Sequence, residues 1–136
     1  MSNHFEAISQ LTHVYSTHVD ERDFERLGAL LAEATFSLLW TSQKIDTGEI
    51  RGREEIESFY RDYLADKPPT RHVITNLIVE ADEGGGRASA RSYLTAIRYR
   101  PGEAGVILSG RYEDEFELVD GAWRFRRKGV IMELPA

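Results

Sequence analysis

"VILSGRYEDEFELVDGAWRFRRKGVIM", residues 106–132, decides the fold. Its first half alternates strictly. Val106, Leu108, Gly110, Tyr112, Asp114, Phe116 and Leu118 fall on one side, and Arg111, Glu113, Glu115 and Glu117 on the other. A period of two is the pattern of a strand with one buried and one solvated face. Asp120-Gly121 then supplies the residues a two-residue hairpin turn demands, and the chain returns through Trp123 and Phe125. The pattern predicts strands at 105–119 and 122–132, paired antiparallel.

Upstream, similar runs predict strands at about 70–81 and 87–100, joined by GGG (84–86) and by PGEAG (101–105) to the next strand. These four strands form a meander. ATFSLLWT (34–41) adds a strand with Phe36, Leu38 and Trp40 on one face, and a short strand near 44–51 pairs back on it. Three helices precede or interrupt this set. Phe5, Ile8, Leu11, Tyr15 and Val19 recur at helical spacing over 4–19, and Phe24, Leu27, Leu30 and Leu31 do so over 22–32. Ile56, Phe59, Tyr60, Tyr63 and Leu64 mark a third helix at 53–65, with Pro68-Pro69 beyond it. The expected architecture is α+β: a long, curved, mostly antiparallel sheet wrapped around three helices, with a cavity at its open end. The 136 residues fit a single domain, 1–136.

Composition narrows the chemistry. Cysteine is absent, which removes thiolate nucleophiles, disulfides and cysteine metal sites. The net charge of −6 argues against a nucleic-acid partner, and the basic run Arg124, Arg126, Arg127 and Lys128 reads as a solvated strand edge. No window is apolar enough for a membrane span, and MSNHFEAISQL carries no leader pattern. The expectation is a soluble, unprocessed, cytoplasmic protein. His4, His13 and His18 lack metal-ligand spacing, and no HExxH, GxSxG, Walker loop or GxGxxG is present, so neither a metal nor a cofactor is expected.

By parity His72 shares a face with Ile74, Asn76 and Ile78. It is either a pocket histidine or one bonded to backbone at a strand end. Asp20, between the first two helices, is either an N-cap, a role Asp23 can also fill, or a carboxylate that orients His72. Tyr15 lies about 140° from Asp20 around an ideal helix, so the two converge only if the helix ends between them. Tyr112 and Asp114 fall on the buried face of their strand, which makes Asp114 a pocket residue or a register exception.

The stretches "YSTHVDERDFERL" (15–27), "GREEIESFY" (52–60), "TRHVITNLIVE" (70–80) and "SGRYEDEFELVDGAWRFRRKGV" (109–130) resemble, in this order, the SnoaL-like branch of the NTF2-like superfamily. Within it the patterns most similar are scytalone dehydratase, hexachlorocyclohexane dehydrochlorinase and bile-acid 7α-dehydratase. The resemblance implies a cone-like NTF2-like/cystatin-like roll, and elimination by a pocket aspartate and histidine matched by Asp20 and His72. Tyr15 matches a pocket tyrosine of the bile-acid enzyme. Lys128 stands where the dehydrochlorinase pattern has an arginine that steadies the leaving group. Strict alternation from Trp123 and Phe125 turns Lys128 outward, so a bulge near Arg126–Arg127 is needed to bring it in. Met132 replaces an arginine of the bile-acid enzyme, and the second histidine of scytalone dehydratase has no counterpart at 109–114.

The expected function is a cofactor-independent lyase of dehydratase type, or an isomerase, acting on a small, apolar, oxygenated substrate. His72 is the expected base, Asp20 its orienter and Tyr15 a hydrogen-bond donor. Trp40, Phe36, Ile74, Tyr112, Asp114 and Lys128 are the expected substrate-binding residues. The alternatives are a polyketide cyclase, a ligand-binding module without chemistry, and an accessory or assembly subunit. Arg91, Tyr93, Thr95, Ile97 and Tyr99 alternate along a mixed face of the type that pairs two protomers, so a homodimer through the sheet is expected.

Overall fold

The structure, a computed structural model, describes residues 3–82, 84–102 and 105–134. Helix α1 (His4–Glu21) opens the chain, and Asn3 caps it by accepting the Glu6 N–H at 3.0 Å. Arg22 ends it in the left-handed conformation, with the Asp23 N–H returning to the His18 carbonyl. Helix α2 (Phe24–Leu30) starts at once, capped by Asp23, whose carboxylate accepts the Arg26 N–H at 3.1 Å. Asp23 therefore fills the capping role and leaves Asp20 free. Because α1 runs through Asp20 without a break, Tyr15 and Asp20 point in different directions, contrary to the convergence considered from sequence.

Strand β1 (Thr35–Trp40) buries Phe36, Leu38 and Trp40 as its alternation predicts. The strand expected near 44–51 is two short pieces, β2 (Ile45–Asp46) and β3 (Ile50–Arg51), each antiparallel to β1. Helix α3 (Arg53–Leu64) follows, burying Ile56, Tyr60 and Leu64. The four long strands then form the expected meander: β4 (Thr70–Asp82), β5 (Arg87–Arg98), β6 (Val106–Val119) and β7 (Ala122–Leu134). β1 joins β7 in parallel, giving a seven-stranded, mostly antiparallel sheet in the order β2-β1-β7-β6-β5-β4, with β3 also on β1. The turn at 120–121 has Asp120 and Gly121 at φ 50 and 81, the positive values a hairpin of this handedness requires. Two residues of the 101–105 turn, 103 and 104, lie outside the described residues. None of the described helices is long and apolar enough to cross a membrane.

Three irregularities correct the parity reading. Between Thr75 and Ile78 the register of β4 shifts, with Asn76 at φ 56, so Leu77 and Val79 turn inward and Ile78 and Asn76 face solvent. On β7, Glu115 faces Arg127 while Phe116 faces Phe125, which makes Arg126 an extra residue. That bulge turns Lys128 inward to complete burial and removes it from the basic run. Arg124 and Arg126 meanwhile pair with Glu117 and Glu115 on the outside. A third shift, between Ser109 and Gly110, brings β7 so near that a Cβ at 110 would sit 2.3 Å from the Ile131 carbonyl oxygen. Only glycine fits there. Val106, assigned to the buried face by alternation, is exposed at the start of β6.

Candidate active site

Asp20 leaves the last turn of α1 toward β4, the edge strand of the sheet. An edge strand has alternate N–H groups with no ladder partner. One of these, the His72 N–H, donates to Asp20 Oδ2 at 2.7 Å. Asp20 Oδ1 accepts from Thr70 Oγ1 at 3.0 Å and also contacts His72 Nδ1. The carboxylate thus grips residue 72 at backbone and ring, across fifty-two positions of sequence. Arg22 holds the approach to this strand: its guanidinium donates to the carbonyls of Leu64, Lys67 and Pro68, fastening the α3–β4 loop to α1.

Burial pushes the Asp20 carboxyl pKa up, but the hydrogen bonds and charge of His72, with the Thr70 hydroxyl, outweigh it and hold the value below the ordinary 3.8. Asp20 is therefore an anion at neutral pH, and an anion can only accept. His72 Nδ1 must donate to it, so in the neutral imidazole the lone pair lies on Nε2.

The His72 side chain lines a cavity of about 50 Å³ between helices and sheet, together with Tyr15, Trp40, Tyr60, Tyr63, Thr70, Arg98 and Tyr112, and with Leu38, Leu94, Ala96, Leu108 and Met132. The deep wall is aromatic and buried, whereas Thr70, His72, Tyr63 and Arg98 are partly exposed and form the mouth. Tyr15 and Tyr60 touch through their hydroxyls, and Ser16 Oγ lies 3.0 Å from the Tyr112 hydroxyl. Burial raises the pKa of all three phenols, with neighbouring phenols adding to the effect at Tyr15, so they stay neutral. Within the Tyr15–Tyr60 pair one hydroxyl donates to the other, which keeps one O–H free for a guest.

The cavity receives His72, Tyr15, Trp40 and Tyr112, with Asp20 behind the imidazole. Four other expected residues do not reach it. Phe36 is fully buried behind the wall, 5.3 Å from the Tyr60 ring, because α3 lays Phe59 and Tyr60 over it. Ile74 packs against the core one pair of residues beyond His72. Lys128 and Asp114 face each other across β7 and β6, with Nζ 3.0 Å from Oδ2, beneath the rings of Tyr15 and Tyr112. Asp114 is thus neither a cavity residue nor a register exception. Burial drags the Lys128 pKa down to about 8 even though Asp114 opposes it, and burial raises Asp114.

Sequence reasoning missed Tyr60, Tyr63 and Arg98. The two tyrosines read as helix-face core, and Arg98 lay at the end of a strand whose opposite face had drawn notice. A wider groove of about 340 Å³ on the convex face, lined by Glu80, Arg91, Glu113 and Arg127 among others, is open to solvent and touches none of the dyad, so the enclosed cavity is the candidate site. At the α1–α2 corner His18, Glu21 and Asp23 bring potential ligand atoms within 4.8 Å of one another, a grouping that linear spacing does not reveal.

The fold and site define a class: a cystatin-like, NTF2-like α+β cone holding an Asp–His pair at the mouth of an aromatic cavity. The chain belongs to the SnoaL-like domain family, which matches residues 2–128. Among solved structures it is similar to a candidate scytalone dehydratase from Novosphingobium aromaticivorans DSM 12444, at 26% identity and a TM-score of 0.75, covering 96% of this chain and 84% of that one. It is also similar in fold to the hexachlorocyclohexane dehydrochlorinase LinA type 2, at 21% identity, TM-score 0.77, 94% of this chain and 84% of that one. A protein with a cystatin-like fold from Nostoc punctiforme PCC 73102 superposes with a TM-score of 0.77 at 20% identity, over 95% and 90% of the two chains. No curated protein matches the sequence.

Proposed function

We propose that the protein is a cofactor-independent lyase of the dehydratase type. The observation that carries this reading is the Asp20–His72 contact, with the imidazole on the cavity wall. His72 Nε2 removes a proton from substrate carbon, the freed pair forms the new double bond, and Asp20 balances the imidazolium. The free hydroxyl of the Tyr15–Tyr60 pair donates to the departing oxygen. The withdrawal of Lys128 beneath the tyrosines favours a hydroxyl leaving group, held by a hydrogen bond from a neutral phenol and released as water once it takes the proton carried by the His72 imidazolium, over a halide steadied by a cation. Likeness to a candidate scytalone dehydratase supports the same class.

The cavity also bounds the substrate. An apolar cavity of about 150 Å³ is enough to hold benzene, so about 50 Å³ admits only the reacting end of a larger molecule or a small one whole. The test is turnover on a panel of small β-hydroxy carbonyl compounds. His72→Ala and Asp20→Asn are expected to lower kcat about a hundred- to ten-thousand-fold. Wild-type kcat in either variant removes the dyad from the mechanism. Deuterium uptake from solvent without loss of water would instead identify an isomerase.

A further inference from the structure

Two donors on the cavity wall have no role in the proton-transfer scheme. Trp40 is only 3% exposed, and its Nε1–H finds no acceptor among the described residues. The Nε–H of Arg98 is likewise buried and without a partner among them. Native structures rarely bury such groups unsatisfied, and each exception calls for an explanation, a functional role or a partner from outside the chain among them.

Arg98 is also the one arginine among the residues that line this cavity, and it makes no ion pair among the described residues. Its guanidinium lies 5.6 Å from the Trp40 ring centre, and its charge lowers the Tyr63 pKa against a larger upward push from burial. In the β4–β5 ladder Thr70 faces Arg98 and His72 faces Ala96, so Arg98 is a diagonal neighbour of His72 on the same face. Arg98 therefore adjoins the Trp40 ring on one side and His72 on the other, and all three line the cavity. Leu38, Leu94, Ala96 and Leu108 supply apolar wall beside them.

We propose that Arg98 and Trp40 form a carboxylate-binding subsite, and that the substrate is a small organic acid. Guanidinium and indole offer donors only, and an ionised carboxylate is the group that only accepts. A hydroxyl or amide would satisfy the N–H groups but leave the guanidinium charge unneutralised. With its acid group on Arg98, the substrate lays its carbon chain beneath His72. This inference rests on the lyase reading for what happens next, but the binding itself does not.

The experiment reads the indole N–H signals of the two tryptophans by ¹H–¹⁵N NMR at pH 7 during titration with butanoate and, separately, butanamide. Trp123 does not line the cavity and donates to His4, so it is the internal reference. Butanoate is expected to shift the Trp40 signal saturably with Trp123 unmoved, and butanamide to bind at least tenfold more weakly. Arg98→Met should weaken butanoate at least tenfold, with Arg98→Lys recovering part of the loss, and the remaining backbone signals report that each variant is folded. Equal binding of acid and amide, undiminished butanoate binding by Arg98→Met, or no saturable Trp40 shift overturns the subsite. His72→Ala separates the two claims. Turnover that survives in this variant sinks only the lyase reading, whereas lost turnover in a protein that binds butanoate no better than butanamide sinks only the subsite.

Discussion

Replacing Lys128 with methionine removes one partner of the buried pair beneath the tyrosines while keeping most of its volume. Both side chains are shielded from solvent, at 0% and 1% exposure, so neither charge can be rescued by water. The lost attraction is about 5 to 6 kcal/mol at 3.0 Å for an effective dielectric near 20. The carboxyl has a cheaper alternative. Taking up a proton at pH 7 costs about 4 kcal/mol for a group that ionises at 3.8 in the unfolded chain. Asp114 therefore becomes neutral in the variant, and the loss of stability is about 3 to 4 kcal/mol, within the range for breaking a buried pair. The native variant now binds a proton that the unfolded chain releases above 3.8, so its stability falls as pH rises through that window and recovers on acidification. Chemical denaturation at pH 7 and pH 5, each referred to wild type, should show the penalty shrinking by about 2.7 kcal/mol, to about 1 kcal/mol at pH 5. Adding Asp114→Leu should restore most of the stability at pH 7. A penalty independent of pH, or a double variant as unstable as the two single losses combined, refutes the argument.

Gly110→Ala places a methyl against the Ile131 carbonyl and should destabilise by about 1 to 3 kcal/mol in the same assay; an unchanged midpoint would mean that β6 and β7 can separate at no cost. The convex face of β4, β5 and β6 exposes Val73, with Tyr93 at 56% and Ile107 at 64%, interspersed with Thr95 and Ser109 on a mixed apolar and polar surface. We propose that a second copy of the chain covers it. Light scattering at micromolar concentration should report a dimer for wild type and a monomer for Ile107→Glu, and a monomeric wild type would end the proposal.

The local period of the sequence determined the elements. A helix or strand is specified by which neighbours in the chain must be buried together, so α1, α3 and the hairpin of β6 and β7 were legible from apolar spacing and the Asp120-Gly121 turn. Resemblance across four stretches pointed to Asp20 and His72 before their contact was visible. Tertiary structure alone decided which side chains reach the cavity. Parity fails wherever a strand gains a residue relative to its partner, and that is a property of the pair, set by hydrogen bonds across the ladder. The shift at Thr75–Ile78 turned Ile78 outward, and the extra residue Arg126 carried Lys128 into the core. Phe36 was displaced from the wall by α3, which packs its aromatic rings across β1 from a distant part of the chain. Arg98 became a candidate only when its neighbours were known. An arginine at a strand end is ordinary in sequence, and its lack of a carboxylate partner is a statement about space.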